Sequence, residues 1–597
     1  MSRRIVTAFV HVLALAAAAV RPSMAAAPGS TDPLATTAER SGFRVTGRYD
    51  EVERLCAQFA KAYPGVVRAT EFGRTPEGRP MLALVISRSG ALTPQDARER
   101  NIPVMLAQGG IHAGEIDGKD AGFLAIREML QGKLAKGALE SFVLVFVPVF
   151  NVDGHERFGR WNRPNQVGPE EMGWRTTAQG FNLNRDYTKA DAPEMQAMLR
   201  LLDAWDPVLY VDLHVTDGAQ FEHDVSNNLE PMLTHDPGLQ PIGRALVTEL
   251  NKALTAQGSL PIDFYPSFSK GDDPSSGFDA SPYPPRFSTG YWAERNRFSL
   301  LVETHSWKDY ATRVRVTHNI LIKLSEMIAK QGKSWRAAAS EADARAAKLG
   351  GQDVVVDTQP GPHTTMIDFR GYAYTREPSA ISGALVTRYD TSKPQIWHVP
   401  FRDTLVPKLT VRAPRGAYIV PAAHAAWLGE KLALHGIRFD RLDHAVPAAN
   451  VEAFRVTKAT RASTSFESHT MAALEGEWKP EKRELPAGSL IVPIAQPKAR
   501  LILTLLEPQA GDSFASWGFF NSILEQKEYM EAYVAEQVAH DMLASDPKVA
   551  QEFQQRLEDP AFAKDPQARL DFFYRRHPSW DERFNLYPVL RSETTRP

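Results

Sequence analysis

From residue 49 to about 331 the chain alternates short, continuously apolar runs with stretches whose apolar positions recur every three to four residues. That alternation predicts strands separated by helices, an α/β layer structure. Residues 104–107 (VMLA) read as a strand. Residues 142–150 (FVLVFVPVF) are apolar throughout, as a strand covered on both faces is. Residues 208–213 and 299–302 read as further strands, and Ala121, Leu124, Ala125 and Met129 recur at the spacing of a helix that follows Glu115. Residues 270–288 are rich in Gly, Pro, Ser and Asp and have no periodicity. A loop of that length just before a strand is read as a pocket wall.

Beyond this region the pattern changes. Residues 334–349, rich in Ala, Lys, Glu and Arg, read as a helical connector, assigned to residues 333–349. After Gly350 come short β-like runs at 354–356, 366–374, 385–389, 409–412 and 418–420, a helix at 422–435, a β-rich stretch at 489–506 and a helical tail over about 523–557. These predict a separate, β-rich α+β domain over residues 350–597, with no internal repeat of fixed period. At 597 residues the chain is too long for one core, which agrees with two or more domains.

Arg3 and Arg4 precede an apolar stretch over residues 5–20, and Ser23 and Ala25 are small residues where a signal peptidase reads. Residues 1–25 therefore read as a secretory signal, and residues 26–43, rich in Ala, Thr, Pro and Ser, as a flexible lead-in. Sixteen apolar residues are few for a membrane span. The expectation is an exported protein, periplasmic or secreted, with no stable membrane insertion after cleavage. Cys56 is the only cysteine, so an intrachain disulfide and a thiolate metal site are both excluded. A net charge of -2 points to no nucleic-acid partner.

The candidate chemistry sits where the strands end. His112 and Glu115, in Gly109-Gly110-Ile111-His112-Ala113-Gly114-Glu115, follow the first strand. A His and a carboxylate three residues apart close on one ion, and a third ligand leaves a fourth position for water. With sixteen histidines such a pair also arises by accident in a surface loop, but the paired glycines allow close backbone approach. His214 ends the strand at 208–213 and is either a ligand from a second strand or a core histidine bonded to Asp212. Glu303 ends the strand at 299–302 and is either a general base or the partner of an arginine such as Arg297. Ligands collect beyond the carboxyl ends of strands in open α/β sheets. Arg185, in Asn182-Leu183-Asn184-Arg185-Asp186, presents a fork that matches a carboxylate. Arg175 suits negative charge forming on a carbonyl oxygen, or is an ordinary surface arginine.

Taken in order, these residues resemble the zinc carboxypeptidase A-like metallopeptidases. The order is Gly73-Arg74-Thr75-Pro76-Glu77-Gly78-Arg79-Pro80, His112-x-x-Glu115, Asn151-x-Asp153-Gly154, Trp174-Arg175, Asn184-Arg185, His214 and Glu303. The resemblance covers about residues 44–330, is assigned to a catalytic domain over 44–332, and implies a mixed, twisted sheet with helices on both faces. It implies that His112, Glu115 and His214 hold one Zn²⁺, that Glu303 is the general base, and that Arg175 holds the oxyanion. It implies that Asn184 and Arg185 grip the C-terminal carboxylate of a peptide. Relatives often carry an acid two positions before Asn184, where this chain has Asn182. The family's mobile tyrosine has two candidates, Tyr283 and Tyr291, of which Tyr291 is placed in the substrate site. The second domain is similar to C-terminal portions of large bacterial members.

The implied activity is zinc-dependent removal of a C-terminal residue from a peptide or peptidoglycan-like fragment. A zinc amidase or deacylase acting on small N-acyl amino acids or cell-wall amides keeps the metal and changes the substrate. A binding module without catalysis is the third reading, against which the intact His112, Glu115, His214 and Glu303 stand.

Overall fold

The structure is a computed structural model that describes residues 32–281 and 283–596. The signal segment expected at residues 1–25 lies outside the described residues. Among the described residues no helix is long and apolar enough to cross a membrane.

The first region is built on an eight-stranded sheet of order β1-β2-β4-β3-β5-β9-β6-β7. Its strands are β1 (Val67–Arg74), β2 (Pro80–Ile86), β3 (Val104–Gly109), β4 (Val143–Val147), β5 (Leu209–Val215), β6 (Val225–Glu230), β7 (Pro261–Ile262) and β9 (Phe298–Thr304). A short strand between the last two, β8 (Phe278–Asp279), belongs to a different sheet. The centre β4-β3-β5-β9 is parallel, whereas β1, β2 and β6 pair antiparallel, so the sheet is mixed. Every residue of β3, β4, β5 and β9 is buried, which is why these strands read as apolar runs and not as alternations.

Helices cover both faces. A Cβ on Gly118, in the helix Asp117–Leu130, would lie 2.8 Å from Leu213 Cβ, so this helix packs on the Leu213 side of β5. Tyr210, three residues earlier and on the opposite side, meets Trp292 of the helix Ser288–Ala293 at 5.8 Å between ring centroids. His214 shares the Tyr210 side.

The lead-in differs from expectation. Residues 34–43 are not loose: Leu34, Ala38 and Phe43 are buried, and Glu39 pairs with Arg127. Thr36 and Glu39 form a reciprocal capping box at the helix Thr37–Arg40, a local signal that the Ala/Thr/Pro/Ser composition hides. The connector also differs. The helix Tyr310–Ala346 runs unbroken for 37 residues out of the first region, so residues 333–346 are its last turns.

The second region holds β10 (Asp353–Pro360), β11 (Thr365–Pro378), β12 (Leu385–Arg402), β13 (Leu405–Arg412), β14 (Ala417–Val420), β15 (Asp440–Arg441), β16 (Val446–Arg461), β17 (Ala472–Leu485), β18 (Leu490–Pro493) and β19 (Leu590–Ser592). Six of these form the sheet β15-β18-β14-β19-β16-β17. The stretch expected as β-rich at 489–506 divides into β18 and the helix Ala499–Leu506. A short, largely apolar run fits a buried strand and a buried helix equally well, and here tertiary packing selects the helix. The antiparallel pair β16–β17 was not expected, because charged residues interrupt the buried positions such as Val451, Phe454 and Val456 and leave no continuous apolar run. The two regions share one continuous core, in which Leu428, Leu432, Leu501 and Leu505 join Met198, Leu202, Tyr291 and Trp292.

Candidate metal centre

Three parallel strands deliver the site to one edge of the sheet. β3 ends at Gly109, and the chain turns through Gly110 at φ +62 to present His112 and Glu115. β5 carries His214 and β9 carries Glu303, and these two are direct neighbours in the parallel ladder. Ligand atoms of His112, Glu115 and His214 all lie within 4.8 Å of one another, and all three residues are buried.

Each histidine is oriented by its far nitrogen. His112 Nε2 lies 3.1 Å from Asn182 Oδ1, and its Nδ1 faces Glu115 Oε1 at 3.0 Å. His214 Nε2 lies 2.9 Å from Asp212 Oδ2, and its Nδ1 faces Glu115 Oε2 at 2.9 Å. Asp212 is itself held by Gln108 Nε2 at 2.8 Å and by the Ser288 hydroxyl. Two imidazoles, each fixed at one nitrogen and offering the other toward a shared carboxylate, fit a divalent transition ion such as zinc.

The electrostatics follow from burial and near charges. Burial pushes His112 down to about 4. Burial opposes charge on His214 too, but Asp212 and Glu115 raise it well above the ordinary value. Burial also works against an ionised Glu115, yet Arg163 and His112 hold it well below the usual carboxylate range. Burial pushes Glu303 up to about 8, with the Glu115 charge adding to the effect and His214 opposing it. Glu303 Oε2 is buried and has no hydrogen-bond partner, and Glu303 is one of the residues that line the cavity. Arg297, the alternative partner for Glu303, is committed instead to Asp206 and Asp343 at 2.8 and 2.9 Å.

His112, Glu115, His214 and Glu303 line one cavity of about 380 Å³ with Arg175, Asn184 and Arg185. A larger one, about 620 Å³, lies among C-terminal helices, is lined by residues such as Glu552, Arg556, Phe562, Arg575 and Arg576, and shares no lining residue with it. Arg175 Nη1 sits 3.4 Å from Glu115 Oε1, and its carbonyl accepts from Asn151 Nδ2 at 3.1 Å. Arg185 Nη1 donates to Asn184 O at 2.7 Å, and its guanidinium lies 4.1 Å over the Phe287 ring. Burial, then Arg175, lowers Arg185 to about 10. Among the described residues Arg185 has no ion-pair partner.

Tyr291 does not reach this cavity. It is wholly buried in the helix Ser288–Ala293, with its hydroxyl 2.9 Å from His435 Nδ1. The other candidate, Tyr283, lines the cavity, as does Tyr265. Helical rotation decides the difference, and no periodicity within residues 270–288 reveals it. Asp212 and Asn182 also belong to the site; their adjacency to His214 and Asn184 was the available signal. Arg163, 2.8 Å from Glu115 Oε1, had none. It occupies the space that a side chain at Gly114 would need, since a Cβ there would lie 2.6 Å from Arg163 Cγ.

The remaining motif residues form a joint behind the site. Asp153 Oδ1 accepts from Thr75 Oγ1 at 2.8 Å and from Arg79 Nη1 at 2.7 Å. Asn151 Oδ1 caps the following turn at Gly154 N, 3.0 Å away.

Residues 52–260 match the sequence model of the zinc carboxypeptidase family. Carboxypeptidase 2 of Trichophyton rubrum is 23% identical over 469 residues, which cover 74% of this chain and 79% of that protein. Carboxypeptidase B of Helicoverpa zea is 29% identical over 154 residues, 23% of this chain and 34% of that one. The crystal structure of carboxypeptidase A from Helicoverpa armigera aligns at 17% identity with a TM-score of 0.35, over 49% of this chain and 74% of the other.

Proposed function

We propose, on the premise that through residues 52–260 this chain belongs to the zinc carboxypeptidase family of metallopeptidases, that it removes the C-terminal residue of a peptide or peptide-like substrate with a free carboxylate. His112, Glu115 and His214 would hold one zinc ion. When bound, zinc supplies Lewis acidity, which activates water near neutral pH and polarises a carbonyl.

The chain's own groups supply the rest. Glu303 Oε2 takes the proton of the attacking water and returns it to the leaving amine. A buried carboxyl with a raised pKa suits that exchange. Arg175 turns from Glu115 toward the carbonyl oxygen as negative charge forms there. Arg185, with Asn184 beside it, receives the substrate carboxylate, for which no carboxylate among the described residues substitutes. Asn182 and Asp212 keep the two imidazoles in one tautomer each.

The observation that carries this reading is the convergence of the two histidines and Glu115 within 4.8 Å, on the cavity that Glu303 and Arg185 also line. Glu303→Gln tests it. The variant is expected to retain zinc at wild-type stoichiometry while kcat falls by about two to four orders of magnitude. Near-normal turnover in a zinc-loaded Glu303→Gln protein excludes the role given to Glu303.

A further inference from the structure

The second region has no task in the reaction above, yet it reaches the carboxylate end of the site. Residues 182–191 carry Asn182, Asn184 and Arg185, and groups of the second region hold this segment from outside. Lys431 Nζ donates to Lys189 O at 2.6 Å and Ala190 O at 3.0 Å. His469 Nε2 meets Asp191 Oδ2 at 2.7 Å, and Trp517 Nε1 donates to Thr188 Oγ1 at 3.1 Å.

The contact nearest the site is made by the turn that joins β16 to β17. There Glu467 Oε2 accepts from Asn182 N at 3.2 Å. Glu467 and Ser468 sit at φ +48 and +70, the left-handed region that costs energy in residues other than glycine. Flanking contacts hold the turn in that shape: Phe466 stacks on Trp517 at 5.9 Å, and Phe466 and His469 exchange backbone hydrogen bonds.

Two acidic groups of the second region approach the arginines here. Asp512 is committed to Arg286 at 3.2 Å. Glu467 has no cation within ion-pair distance among the described residues, so its charge is left to act on Arg185. Arg175, Arg286, Tyr265, Asp512 and Glu467 are the titratable groups that bear on Arg185. Of these, Glu467, Tyr265 and Asp512 favour its charged form, against burial and the other two guanidinium groups.

We propose that Glu467 is a positioning and affinity-setting residue for Arg185. It braces the backbone that presents Asn182, Asn184 and Arg185, and its carboxylate moderates the pull of Arg185 on the substrate's free carboxylate. The second region thereby sets how tightly the substrate's C-terminal end is held. This rests on the proposed role of Arg185 as the carboxylate grip.

Glu467→Gln separates charge from bracing, because the amide oxygen still accepts from Asn182 N–H. With the zinc-loaded full chain and N-blocked dipeptides, KM is expected to fall about two- to fivefold at low ionic strength, with kcat within about twofold of wild type. The difference shrinks as salt screens the pair. Used as a competitive inhibitor, the released amino acid binds more tightly by the same factor, and its amide does not. An unchanged KM, or an equal shift for acid and amide, overturns the inference. Arg185→Ala in the same assay separates the two levels. If it leaves amino-acid binding intact, the carboxylate grip itself fails and the inference with it. If it weakens that binding while Glu467→Gln changes nothing, only the role of Glu467 falls.

Discussion

Asn182 lies two positions before Asn184, and its amide oxygen does two jobs. It accepts from His112 Nε2 and from Asn184 N, each at 3.1 Å, so one neutral group fixes both the first ligand and the backbone of the carboxylate grip. Removing the acceptor frees the His112 ring. Asn182→Leu is therefore expected to weaken zinc binding about 10- to 100-fold, as loss of an orienting partner does. Asn182→Asp should bind zinc at least as tightly as wild type, and competition with a chromophoric chelator measures both. At this scale the sequence was most legible where the candidate chemistry and strand ends coincide: His112, Glu115, His214 and Glu303 each follow or end an apolar run, and all four line one cavity. Arg163 and Glu467 were not legible, because each comes from an irregular segment whose position only the assembled molecule defines. Tyr291 was misplaced because its helix turns it toward His435 and away from the cavity.

Between elements, His235 makes a link that pH should report. It lies after β6 at φ +66, with Nδ1 3.8 Å from Glu230 Oε2 at the end of β6 and Nε2 3.5 Å from Glu294 Oε1, just past the helix Ser288–Ala293. Burial opposes its charge, but the two carboxylates outweigh burial and raise it to about 9. A folded-state pKa above the unfolded value of 6.5 stabilises fully below pH ~6.5, and that contribution disappears as pH rises through about 9. Relative to His235→Gln, wild type should be more stable by on the order of 2 kcal/mol at pH 6 and by little at pH 10, as denaturant melts across that range would read. Equal stability at pH 6 would mean that the pair does not act as described. The central strands were legible because burial on both faces leaves an unbroken apolar run. The pair β16–β17 was hidden because charged residues break up its buried positions and no apolar run stands out.

The whole molecule is less divided than its sequence texture. The change after Gly350 marks a change in element type, not the end of a core: Leu428, Leu432, Leu501 and Leu505 pack in the same cluster as Met198 and Trp292. Ending the chain at residue 349 would expose the partners of these side chains, at roughly 25 cal/mol per Å² of apolar surface uncovered. Such a truncated chain is expected to lack the cooperative unfolding transition that the full chain shows by calorimetry. A truncated chain that melts cooperatively near the full-length temperature would mean that the first region is self-sufficient. The unbroken helix Tyr310–Ala346 belongs to the same picture, since one continuous rod joins the two regions where a flexible linker would have let them part.

The pocket wall at residues 270–288 is tied into that arrangement by a short strand, besides the ion pairs of Asp273 with Arg376 and of Arg286 with Asp512. Phe278 and Asp279 pair in parallel with Phe401 and Arg402, and Arg402 fastens Asp279 through bonds of 2.7 and 2.8 Å. A loop stitched into a sheet whose other strands, β11 and β12, both belong to the second region cannot be exchanged alone. Grafting a relative's loop here to alter side-chain preference would sever that seam unless the matching stretch of β12 travelled with it. Any redesign of selectivity therefore has to treat the loop and its distant neighbour as one heritable unit.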